Sequence, residues 1–345
     1  MQAIKKPLGE QVIVITGASS GIGLVTAKRA AERGACVVLA ARNETDLDRA
    51  ATGIRVRGGR ALHIVADVAE PEQVEAIAGA ALREFGRIDT WVNNAAVSMY
   101  GAAAELLLED MRRQMDVNFW GMVYGSLTAV RQMGPEGGTL INVGSVLSDR
   151  AIPLQSIYCA SKHATRAFTD SLRMELELEN RPIAVSYIKP GSIDTPFFEK
   201  AKSYLGEEPQ PIPPVYSPEV VARTILHCAE RPMREVTVGG ITALLGAGQR
   251  VSPRLTDRYL ERNGVEGQKS GKPLAPDRQD NLYEPVEHDG GERSHTWEGR
   301  VLRRSAFTAG RMHPERAAAV TVGLGLAAWL GLRALRRNGD GRGKA

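Results

Sequence analysis

The stretch QVIVITGASSGIG at residues 11–23 decides the fold. Its first half is a short apolar run without alternation, which suits a strand buried on both faces of a parallel sheet. The run breaks at Thr16 and Gly17, and over 21–33 apolar positions return at helical spacing. Gly17, Gly21 and Gly23 therefore stand in a turn between a strand and a helix. Glycines there permit a tight turn and let the backbone approach a pyrophosphate, whose charge a helix N-terminus favours. A glycine triplet alone is a weak signal; strand, turn and helix in that order give it meaning.

Outward from this unit the alternation repeats. Strand candidates lie at 11–16, 35–41, 61–66, 88–93, 138–143, 183–189 and 234–238. Between them run helical patterns such as 21–33, 44–57 and 71–85, while 97–132 and 153–180 are each long enough for one extended helix. Strands that alternate with helices and connect right-handed make a doubly wound sheet. The expected fold class is α/β, a Rossmann-type doubly wound parallel sheet in a single domain over 1–262, followed by a C-terminal extension. Residues 192–216 are irregular and hold Pro196, Pro209, Pro211, Pro213 and Pro214. They follow the sixth strand, where ligand sites of open α/β sheets gather, and read as a substrate lid.

A second motif, YCASK at 158–162, opens the helix predicted over 153–180. Spacing i,i+4 puts the Tyr158 phenol and the Lys162 ammonium on one helix face. Such a pair is common and usually structural. It gains meaning from Ser145, just past the fifth strand, and from Asn118 on the preceding helical stretch. With these residues the chain resembles the short-chain dehydrogenase/reductase family from residue 11 to about 240. The resemblance rests on TGASSGIG at 16–23, Asp67, NNAA at 93–96, Asn118, Ser145, YCASK at 158–162 and Pro190-Gly191. Two positions depart from the family pattern: Ala96 where Gly is usual, and Gly144 where a second Ser is common.

The resemblance implies an oxidoreductase that moves a hydride between a nicotinamide cofactor and a carbonyl or alcohol substrate. Tyr158 would be the general acid/base, Ser145 would bond the substrate oxygen, and Lys162 would hold the nicotinamide ribose. Asn118 would hold a water in a proton relay reaching Lys162. A free phenol has a pKa of about 10, and bringing it near 7 takes roughly 4 kcal/mol of differential stabilisation. A cation one helical turn away supplies part of that. Gly17, Ser19, Ser20, Gly21, Ile22 and Gly23 would cradle the cofactor, with Asp67 and Asn93 at its adenine end and Ile193 and Thr195 near its carboxamide. An NAD-selective site places an acid at the end of the second strand. This chain has Ala41 and then Arg42, whose guanidinium suits a 2′-phosphate, so NADP(H) is expected over NAD(H). The apolar lid residues Pro196, Phe197, Phe198, Tyr204 and Leu205 point to a lipophilic substrate. A catalytically silent NADP(H) sensor or scaffold at a membrane is the alternative, and the intact proton-relay residues weigh against it.

The 345 residues, 43% hydrophobic and 24% charged, exclude a wholly disordered chain. Three scattered cysteines imply no disulfide framework, and six histidines without ligand spacing imply no metal site. The net charge of +4 resides in residues 263–345, which hold 14 Lys/Arg against 10 Asp/Glu. A neutral body argues against nucleic-acid binding. The apolar run at 12–15 ends at once in Thr16-Gly17 and reads as a strand, not a signal peptide. Residues 263–316 read as a polar, disordered linker. Residues 317–335 read as an apolar helix and a candidate membrane anchor, with a helix packed on the body or a partner subunit as the other reading. The expected setting is cytoplasmic, with membrane association through that segment. Family resemblance also implies a homodimer or homotetramer.

Overall fold

The computed structural model describes residues 6–240, 252–287 and 291–315. Seven parallel strands form the central sheet: β1 (Val12–Thr16), β2 (Cys36–Ala41), β3 (Arg60–Val65), β4 (Thr90–Asn93), β5 (Gly138–Val143), β6 (Ile183–Pro190) and β7 (Glu235–Val238). Their spatial order is β7-β6-β5-β4-β1-β2-β3. Register runs Ile13 opposite Val37 on one side and Ile13 opposite Thr90 on the other. The order reverses between β1 and β4, the switch point at which doubly wound sheets bind ligands.

The apolar run of β1 is buried along its whole length because helices cover both faces. Ile13 and Ile15 face a core with α1 (Gly21–Glu32), α2 (Glu44–Val56) and α7 (Pro218–Glu230). Val12 and Val14 face the opposite core with α3 (Pro71–Phe85), α5 (Gly121–Gln132) and α6 (Ser156–Leu178). Helix ends follow local chemistry. The Asn43 side chain accepts the Asp46 N–H at 3.0 Å and starts α2. Pro71 opens α3, and Gly86 closes it at a left-handed φ of 76°.

The single helix expected over 97–132 is instead broken. Met99–Tyr100 is a short strand, α4 covers Leu108–Met115, and a π-helical turn at Asp116–Trp120 leads into α5. Here tertiary packing prevails over helical periodicity: Tyr100 is completely buried and pairs edge-on through Lys202–Ser203.

The stretch 263–316 also departs from expectation. Among its described residues, Lys269–Pro273 pairs antiparallel with Glu207–Pro209, and Val301–Leu302 pairs parallel with Val215–Tyr216. The helices α8 (Pro253–Asn263) and α9 (Ala306–Met312) flank this part of the chain. Ser305 caps α9, and Thr308 accepts the Gly239 N–H at 3.1 Å just beyond β7. The segment is held by backbone pairing and polar anchors instead of a stripe of apolar side chains, so its composition reads as a linker while its fold is defined. No helix among the described residues is long and apolar enough to cross a membrane. The segment 317–335 lies outside the described residues.

Under the sheet, Asn93 donates to the Asn142 side chain at 2.9 Å, and Asn142 donates to Thr169 at 2.9 Å. Asn142 is fully buried. Its replacement by alanine strips partners from two buried polar groups, and Asn142→Ala is expected to lose about 2 kcal/mol of stability, read from the urea midpoint.

Candidate active site

A cavity of about 490 Å³ opens at the C-terminal edge of the sheet, bordered by the residues that follow β1, β4, β5 and β6. Its floor begins at the glycine turn. Gly17 has φ +65°, and a Cβ on Gly23 would lie 2.2 Å from the Gly17 carbonyl oxygen, so α1 can start this close to the turn only with glycine there. The Asn94 amide, from the turn after β4, donates to the Thr16 and Gly17 carbonyls at 2.9 and 3.2 Å. This bond joins the two loops at the switch point. Ala96, one of the departures, needs no special backbone: Leu154 and Asn180 are the non-glycine residues with positive φ among those described.

Ser145, Tyr158 and Lys162 share one wall of the cavity. The Ser145 hydroxyl accepts the Leu147 N–H at 3.1 Å, while Ser148 accepts the Ser145 N–H at 3.3 Å, a reciprocal cap that fixes the turn after β5. The Lys162 ammonium sits 5.5 Å from the centre of the Tyr158 ring and donates to the Val143 carbonyl at 3.3 Å. Burial dominates the electrostatics of both residues. It pushes the Tyr158 phenol up from its usual value, with the Ser145 hydroxyl pulling it part of the way back. It pushes Lys162 down from an ordinary 10.5 to about 8. Desolvation is the largest influence on each of the two groups.

Gly144, the second departure, has a partner that sequence reading missed. A Cβ there would lie 2.2 Å from the Tyr187 hydroxyl. That hydroxyl shares hydrogen bonds with Ser148 at 2.8 Å and Thr165 at 2.9 Å, and it donates to the Lys162 carbonyl at 3.1 Å. Tyr187 thus ties the Ser145 turn to the helix that carries Lys162. Burial pushes its phenol up to about 12, so it stays a neutral donor at physiological pH.

The other expected residues divide. Gly17, Ser19, Ser20, Gly21, Ile22, Arg42, Asp67, Ile193 and Thr195 line the cavity. Asn93, expected at the adenine end, does not. Its amide is spent inward on Asn142, Ser126 and the Met122 carbonyl, while its oxygen accepts from the Trp91 indole at 2.8 Å. Gly23 serves the turn and also does not line the cavity. Asn118 lies behind the wall in the π-helical turn. Its side chain bonds the Val97 backbone at 2.8 and 2.9 Å and donates to Ser161 at 3.3 Å. In the lid, Phe197 packs edge-on against Tyr158 at 5.9 Å between ring centres. Tyr204, expected in the apolar lid, instead donates its hydroxyl to Asp110, away from the cavity. The three cysteines are buried and free, and no group of His, Cys, Asp or Glu among the described residues is arranged to hold a metal ion.

Arg42 and Asp67 mark the far end. Arg42 donates to the Tyr283 and Asn281 carbonyls at 2.6 and 2.5 Å and lies 3.9 Å from the Asp67 carboxylate, which also pairs with Arg113. Residues of the extension therefore stand directly over this end of the cavity, a placement that no motif announced.

A family model described as short chain dehydrogenase matches residues 11–205. The chain belongs to the short-chain dehydrogenase/reductase family. It is similar to Uncharacterized oxidoreductase YxnA of Bacillus subtilis (strain 168), 45% identical over 339 residues, covering 96% of this chain and 93% of that one. That likeness runs through the extension. It is also similar to 11-beta-hydroxysteroid dehydrogenase A of Sesamum indicum, 34% identical over 66% of this chain and 68% of that protein. Among solved structures it resembles an alcohol dehydrogenase of the archaeon Thermococcus sibiricus in complex with 5-hydroxy-NADP. That likeness has a TM-score of 0.58 and 26% identity, covering 66% of this chain and 95% of that one. The protein is an oxidoreductase of this family.

Lys162 offers a measurable consequence of its burial. With its folded value near 8 and the unfolded value near 10.5, the unfolded chain binds the extra proton between those limits, so stability rises with pH across that window. Below pH 8 the buried charge costs the fold up to ~3 kcal/mol. Lys162→Met is expected to be more stable than the parent at pH 7, with the gap closing as pH climbs from 8 to 10.5, read from urea unfolding at each pH.

Proposed function

We propose that the protein interconverts a lipophilic carbonyl compound and its alcohol with NADP(H), using Tyr158 as the general acid/base. The observation that carries this reading is the shared wall of Ser145, Tyr158 and Lys162, facing a cavity whose other borders are the glycine turn and a phenylalanine-bearing lid. The glycine turn fits a dinucleotide: its close backbone leaves space where a side chain would intrude, and the first turn of α1 beyond Gly21, whose N–H the Gly291 carbonyl takes, presents N–H groups to an anion. When bound, the nicotinamide supplies or accepts the hydride.

In the reductive direction the Tyr158 hydroxyl gives its proton to the substrate oxygen as the carbonyl carbon gains the hydride. Ser145 donates a hydrogen bond to that oxygen while its charge grows. The phenolate left behind lies beside the Lys162 ammonium, which stabilises it in a site shielded from water by Phe197 and Phe198. The proton that restores Tyr158 arrives from the Asn118 side. The widened turn there carries the Gly121 N–H back five residues to Asp116, which takes nearby carbonyls off the α-helical ladder and leaves acceptors for a relay water. Oxidation uses the same groups in reverse.

NADP(H) is supported by Ala41 where an acid would select NAD, by Arg42 on the cavity wall, and by the NADP derivative held in the Thermococcus sibiricus structure. A lipophilic substrate is supported by the lid end of the cavity, where Tyr100, Ile152, Phe197, Ile212 and Leu260 are joined by the neutral amides Gln155 and Gln210. The hydroxysteroid activity named for the Sesamum indicum relative agrees with that class. Assembly as a homodimer or homotetramer is supported by exposed Leu108, Trp120, Leu127, Met174 and Leu178 on α4 to α6.

NADPH and NADH consumption against a panel of aldehydes and ketones tests the reaction. Turnover is expected to fall about 10²–10⁴-fold in Tyr158→Phe. Arg42→Ala is expected to weaken NADPH binding about 10–100-fold and NADH binding little. Faster turnover of the parent with NADH, or full activity of the phenylalanine variant, overturns the reading. For the assembly, Met174→Glu with Leu178→Glu is expected to lower the mass seen by light scattering, and an unchanged mass removes this face as the interface.

A further inference from the structure

We propose that the C-terminal extension forms the outer wall of the dinucleotide site and holds it shut, so that cofactor exchange requires this wall to release. The proposal rests on the cofactor reading above. Two runs of the extension carry it, residues 278–287 and 291–297.

The first run covers the Arg42 end. Leu282 is completely buried in the apolar cluster that contains Ala66, Val68 and Val117, three residues that also line the cavity. Its carbonyl accepts from Arg113 at 3.0 Å, while the Asn281 and Tyr283 carbonyls accept from Arg42. The Asn43 amide donates to the Val286 carbonyl at 2.9 Å, so the turn after β2 is bonded to this run on both sides.

The second run reaches the glycine turn. The Gly291 carbonyl accepts the Gly21 N–H at 2.9 Å, and Glu292 pairs with Lys28 at 2.6 Å. Gly291 therefore takes one donor of the α1 N-terminus and lies beside the cavity without filling it. The cavity continues from Arg42 past Ile22 to Tyr158, with Asn281 and Pro285 of the first run in its lining. That continuity favours a wall over a plug.

Both runs also grip the lid. Arg278 donates to the carbonyls of Glu199 at 2.6 Å and Ala201 at 2.8 Å, and the Asn281 N–H bonds the Lys200 carbonyl at 2.9 Å. On the other side, Glu199 accepts the His295 and Thr296 N–H groups at 2.5 and 3.1 Å. Arg293 pairs with Glu219 at 2.7 Å and lies 3.9 Å from Asp194. Lid residues 196–201 are thus clamped between the two runs. Charge assistance makes these bonds stronger than neutral ones. A lid that opens and closes on its own is inconsistent with these ties, because moving it breaks bonds on both of its sides.

Nucleotide exchange followed by NADPH fluorescence in a stopped-flow instrument tests the wall, together with hydrogen exchange of the intact protein. Arg278→Ala/Arg293→Ala is expected to take up and release NADPH at least about tenfold faster than the parent, since each substitution removes charge-assisted hydrogen bonds. In the parent, NADPH is expected to slow amide exchange in 278–287 and 291–297, a readout that stands even where the double variant fails to fold. Unchanged exchange kinetics in a folded double variant overturn the proposal. So does faster amide exchange on adding NADPH, which marks these runs as competitors of the cofactor. An intact protein that binds neither NADPH nor NADH overturns the functional reading itself, whereas binding with unaltered kinetics overturns the wall alone.

Discussion

An ammonium group enclosed at the edge of the sheet is the constraint around which the site is built. Lys162 is 2% exposed, and a charge so placed is unfavourable unless its surroundings are fixed. The surrounding structure provides that fixity on three sides. The Val143 carbonyl accepts from the ammonium at the end of β5, and the Ser145 turn is locked by its reciprocal cap. Tyr187 joins that turn to the Lys162 backbone. The burial of Lys162 costs stability at neutral pH. Burial raises the Tyr158 phenol and lowers the amine, so it drives apart two groups whose proton affinities nearly match in water.

The sheet was legible in the sequence because its central strands are buried on both faces. A continuous run such as VIVIT or CVVLAA has few other ways to be satisfied, and the glycine turn fixed where the ligand edge lies. The wall of Ser145, Tyr158 and Lys162 was legible for a different reason: Tyr158 and Lys162 are tied by helical spacing, and Ser145 follows a strand. Asn93 was not legible in the same way. An asparagine at a strand end can face the cavity or the core, and nothing local distinguishes them. Trp91, Ser126 and Asn142, distant in sequence except for the first, draw it inward. The break in the stretch 97–132 escaped for a similar reason. A π-helical turn keeps the composition of a helix, and only the burial of Tyr100 and Asn118 against other elements interrupts it.

The extension shows where hydropathy reading fails altogether. It is anchored by its own Arg278 and by Arg42, Arg113 and Glu199 of the body, each bonded to backbone groups, and its pairing with Glu207–Pro209 and Val215–Tyr216 uses two to five residues at a time. Composition scales count such residues as solvated. Their contribution is visible only when the acceptor carbonyls, which every sequence possesses, are seen to converge on them. The likeness to YxnA through nearly the whole chain fits an extension that is part of the architecture and not an appendage.

Gly144 and Tyr187 meet across the β5–β6 edge. A family position usually filled by serine holds glycine here, and read alone that looks like the loss of a hydroxyl. In the folded chain the Tyr187 hydroxyl takes up the space, within 2.2 Å of where a side chain would begin. The departure is therefore one half of an exchange between adjacent strands. A small residue on β5's edge lets a large one on β6 reach Ser148, Thr165 and the Lys162 carbonyl at once. A single serine in the turn has too short a side chain to span those three groups. What looked like a weakened motif is a site whose support comes from the neighbouring strand.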